Sequence, residues 1–155
     1  MADVQSLSHS AICVHDLKQA EDFYCGILGA HPHAGVNFIT EDTIKGRSVH
    51  KSVVLEDYLI ALALAGDFMP MPADDQLRGA HGFRHAFTVS KDRFANLLGV
   101  FKQRGVPYEG PVDHPAQGPF GQSIYFKDPS GNFLEALWRR DEHVKYDPTA
   151  VADVD

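Results

Sequence analysis

A strand-then-helix plan that occurs twice along 155 residues constrains this chain more than any other feature. Residues 7–14 (Leu-Ser-His-Ser-Ala-Ile-Cys-Val) read as a strand. Asp16 then caps a helix, with Gln19 three positions on as its capping-box partner. Leu17, Ala20, Phe23, Tyr24, Ile27 and Leu28 recur at helical spacing, and Gly29 ends the run. The second half repeats the plan. Residues 83–89 are a strand, Ser90 is the cap, Phe94, Leu97, Leu98 and Phe101 form the apolar stripe, and Gly105 is the stop. His9 and His85 each precede their terminal glycine by 20 residues, which puts a histidine at the same place in each first strand.

Further strand-like runs follow each helix. They lie at residues 36–40, 48–55 and 59–65 in the first half, and around 107–109, 122–126 and 133–138 in the second. Asp128-Pro129-Ser130-Gly131-Asn132 is a turn, because proline presets φ and glycine takes the awkward position. The pattern predicts an α+β fold of two βαβββ modules forming a curved mixed sheet around a cleft. Module one is about 7–66, the linker 67–80, module two about 81–140 and an acidic tail 141–155, all within a single domain 1–155. Neither module could bury its helix and sheet alone, so the two share a core. His9 and His85 are expected to meet in the cleft.

Composition narrows the partners. Hydrophobic residues at 44% and charged residues at 23% are globular values, which exclude disorder and fibre. The net charge is −7, of which the last fifteen residues supply −4, so the body carries no basic stripe and nucleic acid is excluded as a partner. No run approaches a membrane span, and the N-terminus lacks the features of a signal peptide. A cytoplasmic location is expected. Cys13 and Cys25 fall on apolar faces and read as buried thiols in a reducing compartment.

Nine histidines are where chemistry is to be sought. Residues two apart on a strand share a face, so His9 lies with Ala11 and Cys13, and His85 with Phe87 and Val89. In Phe133-Leu134-Glu135-Ala136-Leu137-Trp138 one carboxylate stands in an apolar run, and burying it alone costs several kcal/mol. Two imidazoles and that carboxylate would hold a metal with open positions. The competing reading makes His9 and His85 core histidines and pairs Glu135 with Arg139 or Arg84. His81 is four residues before His85, about 13 Å along an extended strand, too far to share an ion with it. His31 and His33 read as the start of an edge strand.

With these residues in hand, the chain resembles the vicinal oxygen chelate superfamily, which includes glyoxalases, extradiol dioxygenases and bleomycin-binding proteins. The opening His9-Ser-Ala-Ile-Cys-Val, with Phe23-Tyr24 and Leu28-Gly29, and the closing Tyr125-Phe-Lys-Asp-Pro-Ser-Gly-Asn-Phe-Leu-Glu135 carry the resemblance, with His85-Ala-Phe-Thr-Val between them. It covers about residues 7–138. The resemblance implies metal ligands His9, His85 and Glu135 and a homodimer. Ala61 stands at the position equivalent to Glu135, so a fourth ligand is missing and the three-ligand members fit better.

The resulting expectation is an extradiol-type dioxygenase acting on a small catecholic or enediol substrate with a divalent ion, Fe(II) or Mn(II) favoured and Zn(II) acceptable. Tyr125 would donate a hydrogen bond to substrate. His114 would be the acid–base residue, since imidazole titrates near neutrality. Residues 68–72 with Phe120 would form an apolar lid. Two alternatives stand beside it: a redox-neutral lyase, isomerase or thiol transferase on the same metal site, and a small-molecule binding or resistance protein without catalysis.

Overall fold

The computed structural model describes residues 8–33, 50–66, 71, 84–114 and 120–140. The first module comprises β1 (His9–Val14), α1 (Leu17–Gly26), β2 (His31–Pro32), β3 (His50–Leu55) and β4 (Tyr58–Leu64). The second comprises β5 (His85–Thr88), α2 (Lys91–Arg104), β6 (Tyr108–Asp113), β7 (Phe120–Lys127) and β8 (Phe133–Arg139). The two sheets have matching orders, β1-β4-β3-β2 and β5-β8-β7-β6. In each, the first strand lies parallel to the last and the other pairs are antiparallel. This is the expected pair of βαβββ modules.

The helices begin where the sequence places them. Asp16 accepts from the Gln19 amide at 2.8 Å, and Ser90 accepts from the Arg93 amide at 3.1 Å, each satisfying an orphan donor of a first turn. Gly105 closes α2 in the left-handed region at φ 67°. Helix α1 ends at Gly26, two residues short of its apolar stripe. Ile27 and Leu28 both send their amides to the Phe23 carbonyl, and Gly29 reverses the chain at φ 81°. The expected strand at residues 36–40 lies outside the described residues. Among the described residues, His31–Pro32 forms the edge of the first sheet beside β3, in keeping with the tolerance of edges for proline.

Alternation along the strands builds one core from both modules. Ile12 and Val14 on β1, Ile60 and Leu62 on β4, Ile124 and Phe126 on β7, and Leu134 and Ala136 on β8 are buried in the same cluster as Phe23, Tyr24, Phe94, Leu97 and Phe101 of the helices. Phe126 joins the halves, its ring 4.8 Å from that of Phe101 and 6.3 Å from that of Phe23.

The turn after β7 clasps the modules together. Buried Asp128 accepts the Ser130 and Asn132 amides on Oδ1, and the Tyr24 hydroxyl at 3.1 Å and Asn132 Nδ2 at 2.8 Å on Oδ2. Asn132 Nδ2 also donates to the Cys13 carbonyl, and the His15 amide donates to Ser130 Oγ. Burial and then the neighbouring Asp128 charge push the Tyr24 phenol well above its ordinary value. Cys13 and Cys25 are both half-buried rather than fully buried.

Candidate functional site

The faces of the two sheets decide which side chains can meet. In the second sheet His85 pairs with Leu134 and Phe87 with Ala136, while Ala86 pairs with Glu135 and Thr88 with Leu137. Paired residues of parallel strands point to the same side. Leu134, Ala136, Ile124 and Phe126 are core, so His85 and Phe87 face the helices. Glu135, Tyr125 and Ser123 face the other way, with Tyr125 directly opposite Glu135 and Ser123 opposite Leu137.

The first sheet gives the complementary picture. Ile12 and Val14 face the helix, so His9, Ala11 and Cys13 share the opposite face with Leu59, Ala61 and Ala63. His9 is exposed, with Nδ1 3.0 Å from Ser8 Oγ. His9 therefore lies on the outer, helix-free face of its sheet and His85 on the inner face of the other. Their equal distance from the terminal glycines hides the difference. His15 separates Val14 from its cap, whereas Ser90 follows Val89 directly, and the two helices have 10 and 14 residues. Ala11 pairs with Ala61, and Ala86 pairs with Glu135, the residue equivalent to Ala61. The counterpart of His9, two residues before Ala11, is therefore Arg84.

Arg84 is where that equivalence puts it. Its Nε donates to Glu135 Oε2 at 2.5 Å, and its guanidinium carbon sits 5.5 Å from the centre of the Tyr125 ring. The Glu135 side chain keeps 4% of its surface exposed and that of Arg84 33%. The second carboxylate oxygen is also engaged, since buried Ser123 donates its hydroxyl to Oε1 at 2.5 Å. His114 Nε2 lies 2.7 Å from the same Ser123 oxygen. Serine carries one hydrogen, already given to Glu135, so Nε2–H of His114 is the donor here. The imidazole is fixed further by its backbone, whose amide donates to the Gly121 carbonyl and whose carbonyl accepts from Arg140.

The structure thus brings Arg84, Glu135, Ser123, His114 and Tyr125 together, and it does not bring His9 and His85 to Glu135. A divalent ion does not fit the expected set within one chain, because His85 points into the core and both Glu135 oxygens already have donors. Among the described residues, no three His, Cys, Asp or Glu side chains are placed to hold an ion. Burial lowers the His85 pKa from the ordinary 6.5, partly offset by the Asp128 charge, as fits a side chain on the core face. The pairing of Glu135 with Arg84 is the competing partner that the sequence allowed.

Ser123 was not among the residues singled out from the sequence. Its signal was a small polar residue two before Tyr125, on the strand face that a buried carboxylate would share. Of the expected lid, Phe120 is described, half-buried with its ring centre 5.9 Å from that of His114. Residues 68–70 and 72 lie outside the described residues, as does His81.

Clefts open on two sides of the described residues. One, of about 970 Å³, is lined by Leu28, Leu55, Tyr58, Thr88 and Arg93 among others. The other, of about 650 Å³, is bordered by Phe23, Ile27, Val106, Tyr108, Tyr125 and Phe133, and its exposed lining is mostly apolar. Tyr125 links this second cleft to the Arg84–Glu135 pair, and its ring stacks at 6.2 Å on that of Phe133.

Comparison with known proteins agrees with this architecture. Biphenyl-2,3-diol 1,2-dioxygenase 2 of Rhodococcus globerulus is 28% identical over 142 residues, which is 87% of this chain and 63% of the relative. The chain therefore spans less than two thirds of that relative's length. Among solved structures, the fosfomycin resistance protein FosX of Listeria monocytogenes superposes with a TM-score of 0.62 at 21% identity, covering 86% of this chain and 91% of FosX. A mutant of that protein has been solved with Mn(II) and 1S,2S-dihydroxypropylphosphonic acid. An integron cassette protein of Vibrio cholerae gives a TM-score of 0.63 at 23% identity, covering 89% and 98% of the two chains. At these identities the structures show the fold. The family model described as Glyoxalase/Bleomycin resistance protein/Dioxygenase superfamily matches residues 6–136, and the chain belongs to that superfamily.

Proposed function

We propose that this protein binds a small molecule with an apolar body and adjacent oxygen atoms, of the catecholic or enediol kind. The apolar part occupies the 650 Å³ cleft, and the oxygens are turned toward the Tyr125 hydroxyl and the Arg84–Glu135 pair. The observation that carries this reading is the double membership of Tyr125, which borders an apolar cleft of ligand size and also lies against Arg84, the ion-pair partner of the buried Glu135 carboxylate. In such a site the apolar walls supply affinity and a few convergent polar groups fix orientation.

Titration with a panel of catechols and 2-hydroxy ketones, followed by chemical-shift changes, tests it. Tyr125→Phe and Val106→Trp are each expected to weaken binding roughly tenfold, a loss of about 1.4 kcal/mol. Binding that neither substitution alters, or no binding across the panel, would overturn it.

One observation favours a second reading, catalysis of the extradiol type: the 28% identity to a biphenyl-diol dioxygenase. Tyr125 would then hold the substrate hydroxyl and His114, coupled to Glu135 through Ser123, would move its proton. Fe(II) or Mn(II) would supply the oxygen chemistry once it had displaced Arg84 from Glu135, whereas redox-inactive Zn(II) would serve only a redox-neutral reaction. Oxygen uptake by Fe(II)-loaded protein given catechols measures this directly. Metal uptake without oxygen consumption would favour a redox-neutral lyase, isomerase or thiol transferase. A homodimer is proposed on the resemblance and is read by sedimentation. No helix among the described residues is long and apolar enough to cross a membrane.

A further inference from the structure

We propose that the Arg84 guanidinium stands in this chain where a divalent ion would otherwise balance Glu135, so that the site holds its ligand without a metal. Three observations carry this. The sheet register makes Arg84 the counterpart of His9, so a fixed cation occupies the place that an imidazole holds in the first module. Arg84 Nε and the Ser123 hydroxyl each sit 2.5 Å from a different oxygen of Glu135. An ion arriving at this carboxylate would have to displace a guanidinium that carries its own charge and cannot be deprotonated in a protein. Finally, the only histidine on β5 faces the core and cannot turn to Glu135 without reversing the strand.

The chemical consequence concerns specificity. A divalent ion binds vicinal oxygens by chelation, and it favours ligands that ionise on binding. A guanidinium binds oxygen through directed N–H groups in one plane. With Glu135 beside it the local charge is balanced, so the favoured ligand is a neutral or singly charged molecule presenting a carbonyl or carboxylate oxygen to Arg84. Arg84 would also hold Glu135 in place, which makes it a positioning residue as well as a binding one. The ligand preference rests on the binding function above, whereas the exclusion of metal is tested apart from it, because metal content and stability are measured with no organic ligand present.

The experiment uses the full chain. Protein stripped with chelator is equilibrated with Mn(II), Fe(II) or Zn(II), passed through a desalting column and analysed for metal, alongside Glu135→Gln. Retention below about a tenth of an ion per chain, the same in both proteins, is expected. Near one ion per chain that disappears in Glu135→Gln would overturn the proposal. A thermal double-mutant cycle provides the second readout. Arg84→Met alone leaves a buried carboxylate without its counter-charge and is expected to lower Tm by roughly 3–6 °C, discounted for the partial exposure of the arginine. Adding Glu135→Gln to Arg84→Met is expected to recover most of that loss. Strictly additive losses would show that the two groups are not each other's counter-charge and would also overturn it.

Discussion

Ser123 and Glu135 lie on adjacent strands with the serine hydroxyl donated to the carboxylate at 2.5 Å, and this one bond fixes the direction of every hydrogen bond out to His114. Because the serine has no second hydrogen, His114 must carry a hydrogen on Nε2. Nitrogen-15 spectra are expected to show a protonated Nε2 for His114 in the wild-type protein, and a changed tautomer distribution in Ser123→Ala. The same substitution removes a hydrogen bond to a buried charged group and should cost about 1–3 kcal/mol in denaturant unfolding. An Nδ1-protonated His114 in wild type would break the chain of inference at its first link.

His85 supplies a pH dependence with a definite sign. Burial on the core face depresses its folded pKa below the ordinary 6.5, so the folded protein favours the neutral ring. The stabilisation is fully present above about pH 6.5. It is lost as pH falls through the unfolded value toward the lower folded one. Replacing the ring with an uncharged side chain removes that contribution. In urea unfolding, wild type should therefore lose more stability between pH 7.5 and 5.5 than His85→Leu does. Parallel pH profiles for the two proteins would show that the ring is not held neutral.

Gly121 tests the packing beneath the site. A methyl group built on this residue would collide with the indole ring of Trp138 on the neighbouring strand. That ring is itself held, with Lys91 Nζ 5.1 Å from its centre and its Nε1 donating to Gln122 at 3.4 Å. Gly121→Ala is expected to cost about 1–3 kcal/mol and to blue-shift or red-shift the tryptophan emission as the indole moves. An unchanged melting curve with unchanged fluorescence would mean that the ring yields freely.

Much of the fold was legible because its signals are local. Asp16 and Ser90 announce helix starts by chemistry that acts within three residues, and Asp-Pro-Ser-Gly-Asn specifies a turn on its own. Glu135 stood out for the same reason, as a charge in an apolar run. The site was less legible because its assembly depends on parity. Whether His85 or Arg84 faces Glu135 is a one-residue question, and a one-residue step on a strand moves a side chain to the other face. Counting back from Gly29 and Gly105 does not resolve it, since the count crosses helices of 10 and 14 residues. Phe87 held the better signal: a large aromatic on β5 belongs to the core and takes His85 with it. Ser123 escaped notice because a serine next to apolar residues carries no chemistry until its neighbours are known.

The clasp at Asp128 has a consequence for how this chain tolerates change. The angle between the two sheets is set by hydrogen bonds that Cys13, His15 and Tyr24 make to a five-residue turn more than 100 positions away. The stretch joining the modules does not have to set that angle, and doubling its length would cost only about 0.6 kcal/mol in closure entropy. Evolution is therefore free to lengthen or shorten the connection, while Asn132 and its neighbours hold the two sheets to one geometry.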